Sequence, residues 1–323
     1  MSTAILLCNM GGPDSLESVR PYLKNIFLDP DLIQIPIRGA LRGKFAEYLA
    51  TKRAPKSMKI FEAIGGSSPL LKITQEQATK LQQRLRAQNH DVRVFPAMRY
   101  WHPFIEDVWQ RVHAESFESV VVLSMYPFYS NSTTGSIVRL VEELQRRQPV
   151  QRLDIIDRFG DNPLFIEAIA AQIRESVSKA HSKAPFRVLL SAHSLPLRHI
   201  KKGDPYENEI LFAMDALHIK LSSDVQLHLS YQSKIGPVKW LGPSTEEKLQ
   251  ELATLSHELW VYPFGFVTDN SETLYEIGQL YKNIALESDV EFYHRIDALN
   301  DHDTFINALA MLIEKKIKDQ IDE

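Results

Sequence analysis

The sequence predicts an α/β protein made of two similar halves, each a parallel sheet flanked by helices, with a cleft between them. Short apolar runs alternate with longer amphipathic stretches, the pattern of parallel strands joined by crossover helices. The runs end in loops rich in Gly, Pro and polar residues, and open α/β sheets place their ligand chemistry at such strand ends. The pattern then restarts around Asp157 to Pro163, so the second half reads as a pseudo-repeat of the first. A strand entering a Gly-rich turn and a helix opens a Rossmann-like unit. Two Rossmann-like domains are therefore expected over 1–160 and 161–300, followed by a closing C-terminal helix within 301–323.

The bulk numbers narrow the function classes. A chain of 323 residues with 44% hydrophobic and 24% charged residues is long enough for two medium domains. A net charge of -4 argues against nucleic acid as the partner. The single cysteine, Cys8, rules out an internal disulfide and any four-thiolate metal site, and fits a reducing compartment. The N-terminus lacks the basic flank and apolar core of a signal peptide, and no run approaches the roughly 20 apolar residues of a membrane span. A cytoplasmic protein is expected, with any membrane contact peripheral.

In the first half, Ala4–Cys8 is a strand and Asn9-Met10-Gly11-Gly12-Pro13 turns sharply after it, before a helix from Ser15 and Ser18 to Phe27. The turn is not the G-x-G-x-x-G fingerprint, so no nicotinamide cofactor is inferred. Pro36–Lys59 carries Arg38, Arg42, Lys44, Lys52, Arg53, Lys56 and Lys59 against one acid, Glu47, with Ile37, Leu41, Phe45, Tyr48 and Leu49 near helical spacing. Such a helix can lie on an anionic membrane face or pack on its own domain as a solvated helix. A Gly-rich loop at Ile64–Leu70, a helix at Thr74–Gln88 and a strand at Val92–Met98 follow. Helix Ile105–Ala114, strand Ser119–Leu123 and a loop at Tyr126–Gly135 complete the half. Strand-to-loop junctions are expected after Cys8, near Gly65, after Met98 and after Leu123.

In the second half, helix Leu164–Ser178 leads to strand Arg187–Ser191, which Pro196 stops, leaving His193 just past its carboxyl end. A lone histidine there has a plain alternative, a satisfied structural imidazole. Helix Asn208–Leu217, strand Val225–Ser230, helix Ser244–Ala253 and strand Leu259–Tyr262 come next. A helix then opens at Asp269, with an apolar stripe of Leu274, Ile277, Tyr281 and Ile284 that leaves Glu272 and Glu276 on another face. Asp269 and Glu272 have capping-box spacing, and Glu276 can be merely solvated, so spacing alone favours a structural role for these acids. Strand Val290–Ile296 and helix Asp303–Lys318 end the chain.

Several stretches together resemble the ferrochelatases, enzymes that insert ferrous iron into a porphyrin. The longest runs through Ser191, His193-Ser194-Leu195-Pro196 and Gly203-Asp204-Pro205-Tyr206. Asn9-Met10-Gly11-Gly12-Pro13, Lys52-Arg53 with Pro55-Lys56, Arg99-Tyr100 with His102-Pro103, Tyr231-Gln232-Ser233-Lys234 with Gly236-Pro237, and Trp240-Leu241 with Pro243 follow the same family. The resemblance spans Ala4 to about Leu299.

The resemblance implies a substrate, a site and a branch. The reaction is insertion of ferrous iron into protoporphyrin IX, giving protohaem in the last step of haem biosynthesis. Phe27-Leu28-Asp29 and the basic active-site lip (36–60) look like the protoporphyrin-using branch rather than the coproporphyrin-using one. His193, Glu272 and Glu276 match the catalytic positions, with His193 and Glu272 also the metal-handling pair. Met10, Arg53, Arg99, Tyr100, Ser132, Tyr206 and Trp240 fall at porphyrin-binding positions, although for Met10 a buried gap-filler is the alternative. Arg53 would pair a propionate. No cofactor is implied, because iron is a substrate. A [2Fe–2S] cluster, carried by some members, is excluded by the single cysteine and by Asn131 where one branch has a cluster Cys.

Insertion requires the loss of two pyrrole protons. An imidazole near pKa 6.5 is a fit acceptor, and a carboxylate can assist or orient the metal. Whether His193 takes protons or binds metal stays open at this level. One residue departs from the pattern: Asn270 stands where most members have His, and a carboxamide neither titrates nor binds soft metals well. Two alternatives therefore accompany the main reading, an impaired porphyrin- or haem-binding relative and a cobalt chelatase acting on another tetrapyrrole.

Overall fold

The computed structural model describes residues 2–33, 39–234 and 238–322; Pro36, Ile37 and Arg38 of the basic segment, and Gly236 and Pro237 of the Tyr231 motif, lie outside them. The chain divides into two compact units, 1–158 with 301–323, and 159–300.

The first unit holds strands β1 (Thr3–Asn9), β2 (Val92–Met98), β3 (Ser119–Ser124) and β4 (Leu153–Ile156), all parallel in the order β2-β1-β3-β4. Every residue of β1 and β3 is buried. That is why these strands read as continuous apolar runs: helices cover both faces of a parallel sheet. The core on one face joins Leu6 and Val122 to Trp109 and Val141. Strand β4 escapes the sequence reading because it has four residues and Asp154 interrupts its apolar run. Helices α1 (Val19–Leu28) and α2 (Gly39–Ala63) pack on each other, while α3 (Leu70–Ala87), α4 (Ile105–Ala114) and α5 (Thr134–Arg147) pack on the sheet and its core.

The junction expected near Gly65 is corrected: no strand precedes it. There α2 ends in a Schellman closure, with Gly66 N donating to Phe61 O (2.8 Å) and Gly65 N to Glu62 O (3.2 Å). Gly65 has φ +105, a conformation that glycine reaches at no steric cost.

The second unit repeats the plan. Strands β5 (Phe186–His193), β6 (Val225–Gln232), β7 (Glu258–Phe264) and β8 (Phe292–Arg295) are parallel in the order β6-β5-β7-β8. Strand β5 runs to His193, not Ser191, because Ala192 and His193 stay in register with Tyr231 and Gln232 of β6. Helices α6 (Pro163–Val177), α7 (Leu197–Lys201), α8 (Tyr206–Lys220) and α9 (Thr245–Ala253) follow in chain order between the strands. Asn162 caps α6, and a Ser244–Glu247 capping box starts α9. After β7 comes a π-helix (Glu272–Leu280), continued by α10 (Tyr281–Glu287). The last helix, α11 (Asp303–Asp322), packs on α3 and belongs to the first unit; Lys80 Nζ meets Asp301 Oδ2 at 2.9 Å. In each sheet the strand order reverses beside the first strand, so the carboxyl ends of β1 and β5 are the switch points where α/β folds bind ligands.

Candidate functional site

His193 is the last residue of β5, held from three sides. Its main-chain carbonyl accepts from the Tyr206 hydroxyl (3.0 Å), and the amide of the next residue, Ser194, donates to Gln232 O (2.9 Å). Its Nδ1 lies 2.7 Å from Ser194 O. A carbonyl only accepts, so Nδ1 carries the hydrogen, and in the neutral ring the lone pair is on Nε2. That Nε2 faces Glu272 Oε1 at 3.7 Å, and Glu272 Oε2 is buried without a hydrogen-bond partner. A lone pair opposite a carboxylate oxygen is an arrangement that can share a proton or a cation. The Phe266 ring lies edge-on to the imidazole, with centroids 6.5 Å apart. Tyr206 itself is buried, and burial, with Tyr231 and Glu272 nearby, pushes its phenol well above the ordinary range. It stays neutral and acts as a latch on His193.

Glu272 opens the π-helix, and Thr273, Ile277, Tyr281 and Ala285 are its buried side. The wider π turn suits this spacing of four, and such turns recur at functional sites. It also corrects the expected stripe: Leu274 is only half-buried and Ala285 joins the core instead. The expected capping box at Asp269 and Glu272 is not formed. Asn270 is the cap, its Oδ1 accepting from Glu272 N (2.8 Å) and Thr273 N (3.4 Å) while its Nδ2 donates to Thr268 O (3.2 Å). Asp269 accepts from Thr273 Oγ1 (2.5 Å), Arg295 Nη1 (2.9 Å) and Asn300 Nδ2 (2.8 Å). So Asn270 spends both ends of its carboxamide on the backbone. Glu276, four residues on from Glu272, accepts from Ser233 Oγ at 2.7 Å. Trp240 bridges Pro196, and its indole N–H is buried with no acceptor.

In the first unit, the carboxyl end of β1 is fixed by the chain that follows β2. Arg99 N donates to Asn9 O and Tyr100 N to Met10 O, both at 2.9 Å. The side chains of the same two residues converge on Asp29, which accepts from Arg99 Nη2 (3.0 Å), Tyr100 OH (2.7 Å) and Ser136 Oγ (2.5 Å). Burial pushes the Asp29 carboxyl up, but these donors and the Arg99 charge outweigh it and hold it below its usual range. Gly11, at φ +84, has no room for a side chain: a Cβ would stand 3.1 Å from Trp101 N. Ser132 is buried in the loop before α5, its amide donating to Ser130 Oγ at 3.2 Å. Arg53 is half-buried on α2 and pairs with no carboxylate among the described residues. Sequence reasoning did not single out Asp29, Ser233, Phe266 or Arg295, although the first two sit inside quoted motifs.

A sequence model of the family described as Ferrochelatase matches residues 2–317. The chain belongs to the ferrochelatase family. The ferrochelatase of a Cyanothece species is 41% identical over 316 residues, covering 96% of this chain and 81% of the relative. That of Geotalea uraniireducens is 39% identical over 320 residues, covering 98% and 99%. As a ferrochelatase the chain is an enzyme, a lyase that inserts iron into a porphyrin in haem biosynthesis. The impaired-relative and cobalt-chelatase alternatives are not favoured. Two solved structures share the fold: SirB from Bacillus subtilis with Fe3+ (TM-score 0.58, 11% identity, covering 98% of this chain and 95% of SirB) and CbiX, described as the terminal enzyme of sirohaem biosynthesis in denitrifying bacteria (0.53, 12%, 98% and 99%). At that identity they speak to the two-domain fold alone.

Proposed function

We propose that the porphyrin is protoporphyrin IX and that His193, with Glu272 and Glu276, carries the insertion chemistry. The observation that supports this is the His193 Nε2 lone pair facing the half-unpartnered Glu272 carboxylate at 3.7 Å. In that arrangement Nε2 accepts one pyrrole proton and the Glu272 carboxylate accepts the other, and both pass on to solvent. Before proton transfer the Glu272 carboxylate orients the incoming ferrous ion beside His193, with Glu276 next along the helix. Arg53, with no carboxylate partner among the described residues, pairs a propionate. Trp240, whose indole N–H has no acceptor, offers that donor to the porphyrin. Met10 and Ser132 line the porphyrin from the ends of β1 and the loop before α5. Arg99, Tyr100 and Tyr206 act through their grip on Met10 and His193.

The chain has one cysteine, buried Cys8 with its thiol pushed up by burial, so four thiolates for a [2Fe–2S] cluster are not available. No described helix is long and apolar enough to cross a membrane. Exposed Leu41 and Tyr48 beside Lys44 and Lys52 on α2 support peripheral contact with an anionic bilayer face, testable as salt-sensitive cosedimentation with anionic vesicles.

The test of function is anaerobic ferrous iron supplied to purified protein with protoporphyrin IX or with coproporphyrin, following the absorbance change on metal insertion. Faster turnover on protoporphyrin IX is expected. Faster turnover on coproporphyrin overturns the substrate assignment, and binding without turnover of either overturns the catalytic reading.

A further inference from the structure

We infer that Ser233 is a positioning residue for the metal-side carboxylate Glu276, held in an unfavourable backbone conformation so that its hydroxyl reaches that carboxylate. This rests on the reading of Glu276 as part of the insertion site. Ser233 directly follows β6 and has φ +64, in the left-handed region that L side chains rarely adopt. Non-glycine residues persist there only where the surroundings over-determine them, and such residues gather at functional sites. Its backbone is clamped from the side of the catalytic histidine, because Gln232 pairs with His193 across the sheet and its carbonyl accepts from Ser194 N at 2.9 Å. From that clamp the Ser233 hydroxyl donates to Glu276 Oε2 at 2.7 Å. Its backbone also lies against the Tyr281 hydroxyl, whose ring is part of the core under the π-helix. One residue thus ties the strand end beside His193 to the second acid of the helix that begins at Glu272.

The chemical consequence is selective. With the Ser233 hydroxyl on Oε2, the Glu276 carboxylate is fixed in one orientation. Glycine would satisfy the backbone better than serine at this φ. The serine hydroxyl is therefore the feature that the strained conformation serves.

The test uses two substitutions with opposite effects on stability. Ser233→Gly relaxes the backbone and deletes the donor; Ser233→Thr keeps the donor but places a β-branched residue at positive φ. The inference expects Ser233→Gly to melt at or above the wild-type temperature. Its KM for ferrous iron should rise about tenfold, since a hydrogen bond to a charged group is among the stronger ones, while its porphyrin KM stays within about twofold. Ser233→Thr should melt lower yet keep an iron KM near wild type. If the iron KM instead follows stability, with threonine worse than glycine, Ser233 is structural and the inference is overturned. Glu276→Gln separates this from the reading beneath it. If Glu276→Gln impairs iron use and Ser233→Gly does not, Ser233 is dismissed and Glu276 stands; if neither has an effect, the Glu276 reading itself fails. In the Glu276→Gln background, Ser233→Gly should add nothing.

Discussion

Replacing Asp29 by alanine should cost the first unit most of its margin of stability and loosen the substrate loop at the same time. Asp29 is 4% exposed and accepts from three donors, one of them the Arg99 guanidinium. Removing one partner of a buried ion pair costs about 3–5 kcal/mol, because the surviving charge is left uncompensated. The buried Tyr100 hydroxyl also loses its acceptor, worth about 1–3 kcal/mol alone. The two losses share one site and are not additive, so about 4–5 kcal/mol is expected. At about 2–4 °C per kcal/mol for a domain of this size, the first unfolding transition should fall by about 10–15 °C. Asp29→Asn keeps the shape and one acceptor and should cost about half as much. The assay is calorimetry at pH 7, repeated downward in pH. The Asp29 carboxyl is held below its ordinary range, so its contribution is complete above the unfolded value of about 4 and is lost as pH falls through the lower folded value. The gap between wild type and variant should therefore narrow in acid. Because Arg99 and Tyr100 also fix the Asn9 and Met10 carbonyls, the porphyrin KM should rise in a variant still folded at the assay temperature. A fall of less than about 3 °C, or a gap unchanged between pH 7 and pH 3, would refute the reasoning about this node.

Three further outcomes are expected. Arg53→Ala should weaken porphyrin binding and Arg53→Lys restore it only partly, since the bidentate fork is lost; equal affinities in a fluorescence titration would remove Arg53 from the site. Asn270→His should lower the iron concentration needed for half-maximal rate, because imidazole binds transition metals and a carboxamide does so weakly. It should also lose about 1 kcal/mol of helix capping, and an unchanged iron KM would take the position out of metal handling. Glu258 is buried, which pushes its pKa up, yet donors from Ser182, His181 and His294 bring it down to about 2. Its contribution of about 3 kcal/mol should vanish between pH 5 and pH 2, so Glu258→Gln should be less stable than wild type at pH 7 and converge on it near pH 2; a gap that does not change with pH would contradict that.

The sequence made the sheets legible where burial is two-sided. Val120–Leu123 and Val188–Leu190 read as strands because helices cover both faces. It failed where tertiary pairing outweighed local pattern. Short β4 exists because Leu153–Ile156 pairs with Val120–Leu123, and β5 reaches His193 because β6 continues beside it. Glycines at Gly65 and Gly66 suggested a strand-to-helix loop, but the same residues close a helix. His193, Glu272 and Glu276 were visible as members of family motifs. What those motifs could not show is division of labour. Tyr206 and Arg99, which look like substrate contacts, spend their polar atoms on His193 O and Asp29. The π-helix was invisible because a repeat of four fits an α-helix nearly as well, and the left-handed Ser233 was invisible because the turn signal of its motif, Gly236-Pro237, falls three residues later in the sequence.

The central claim is that the Nε2 lone pair of His193, facing Glu272, carries proton removal from the porphyrin. The measurement that tests it most directly is the anaerobic insertion rate of His193→Ala, with porphyrin affinity and circular dichroism recorded on the same sample. The predicted result is near wild-type binding and fold with insertion lost by far more than tenfold. Retention of more than about a tenth of the wild-type rate, less than about 1.4 kcal/mol of barrier, would make His193 a structural residue and contradict the claim.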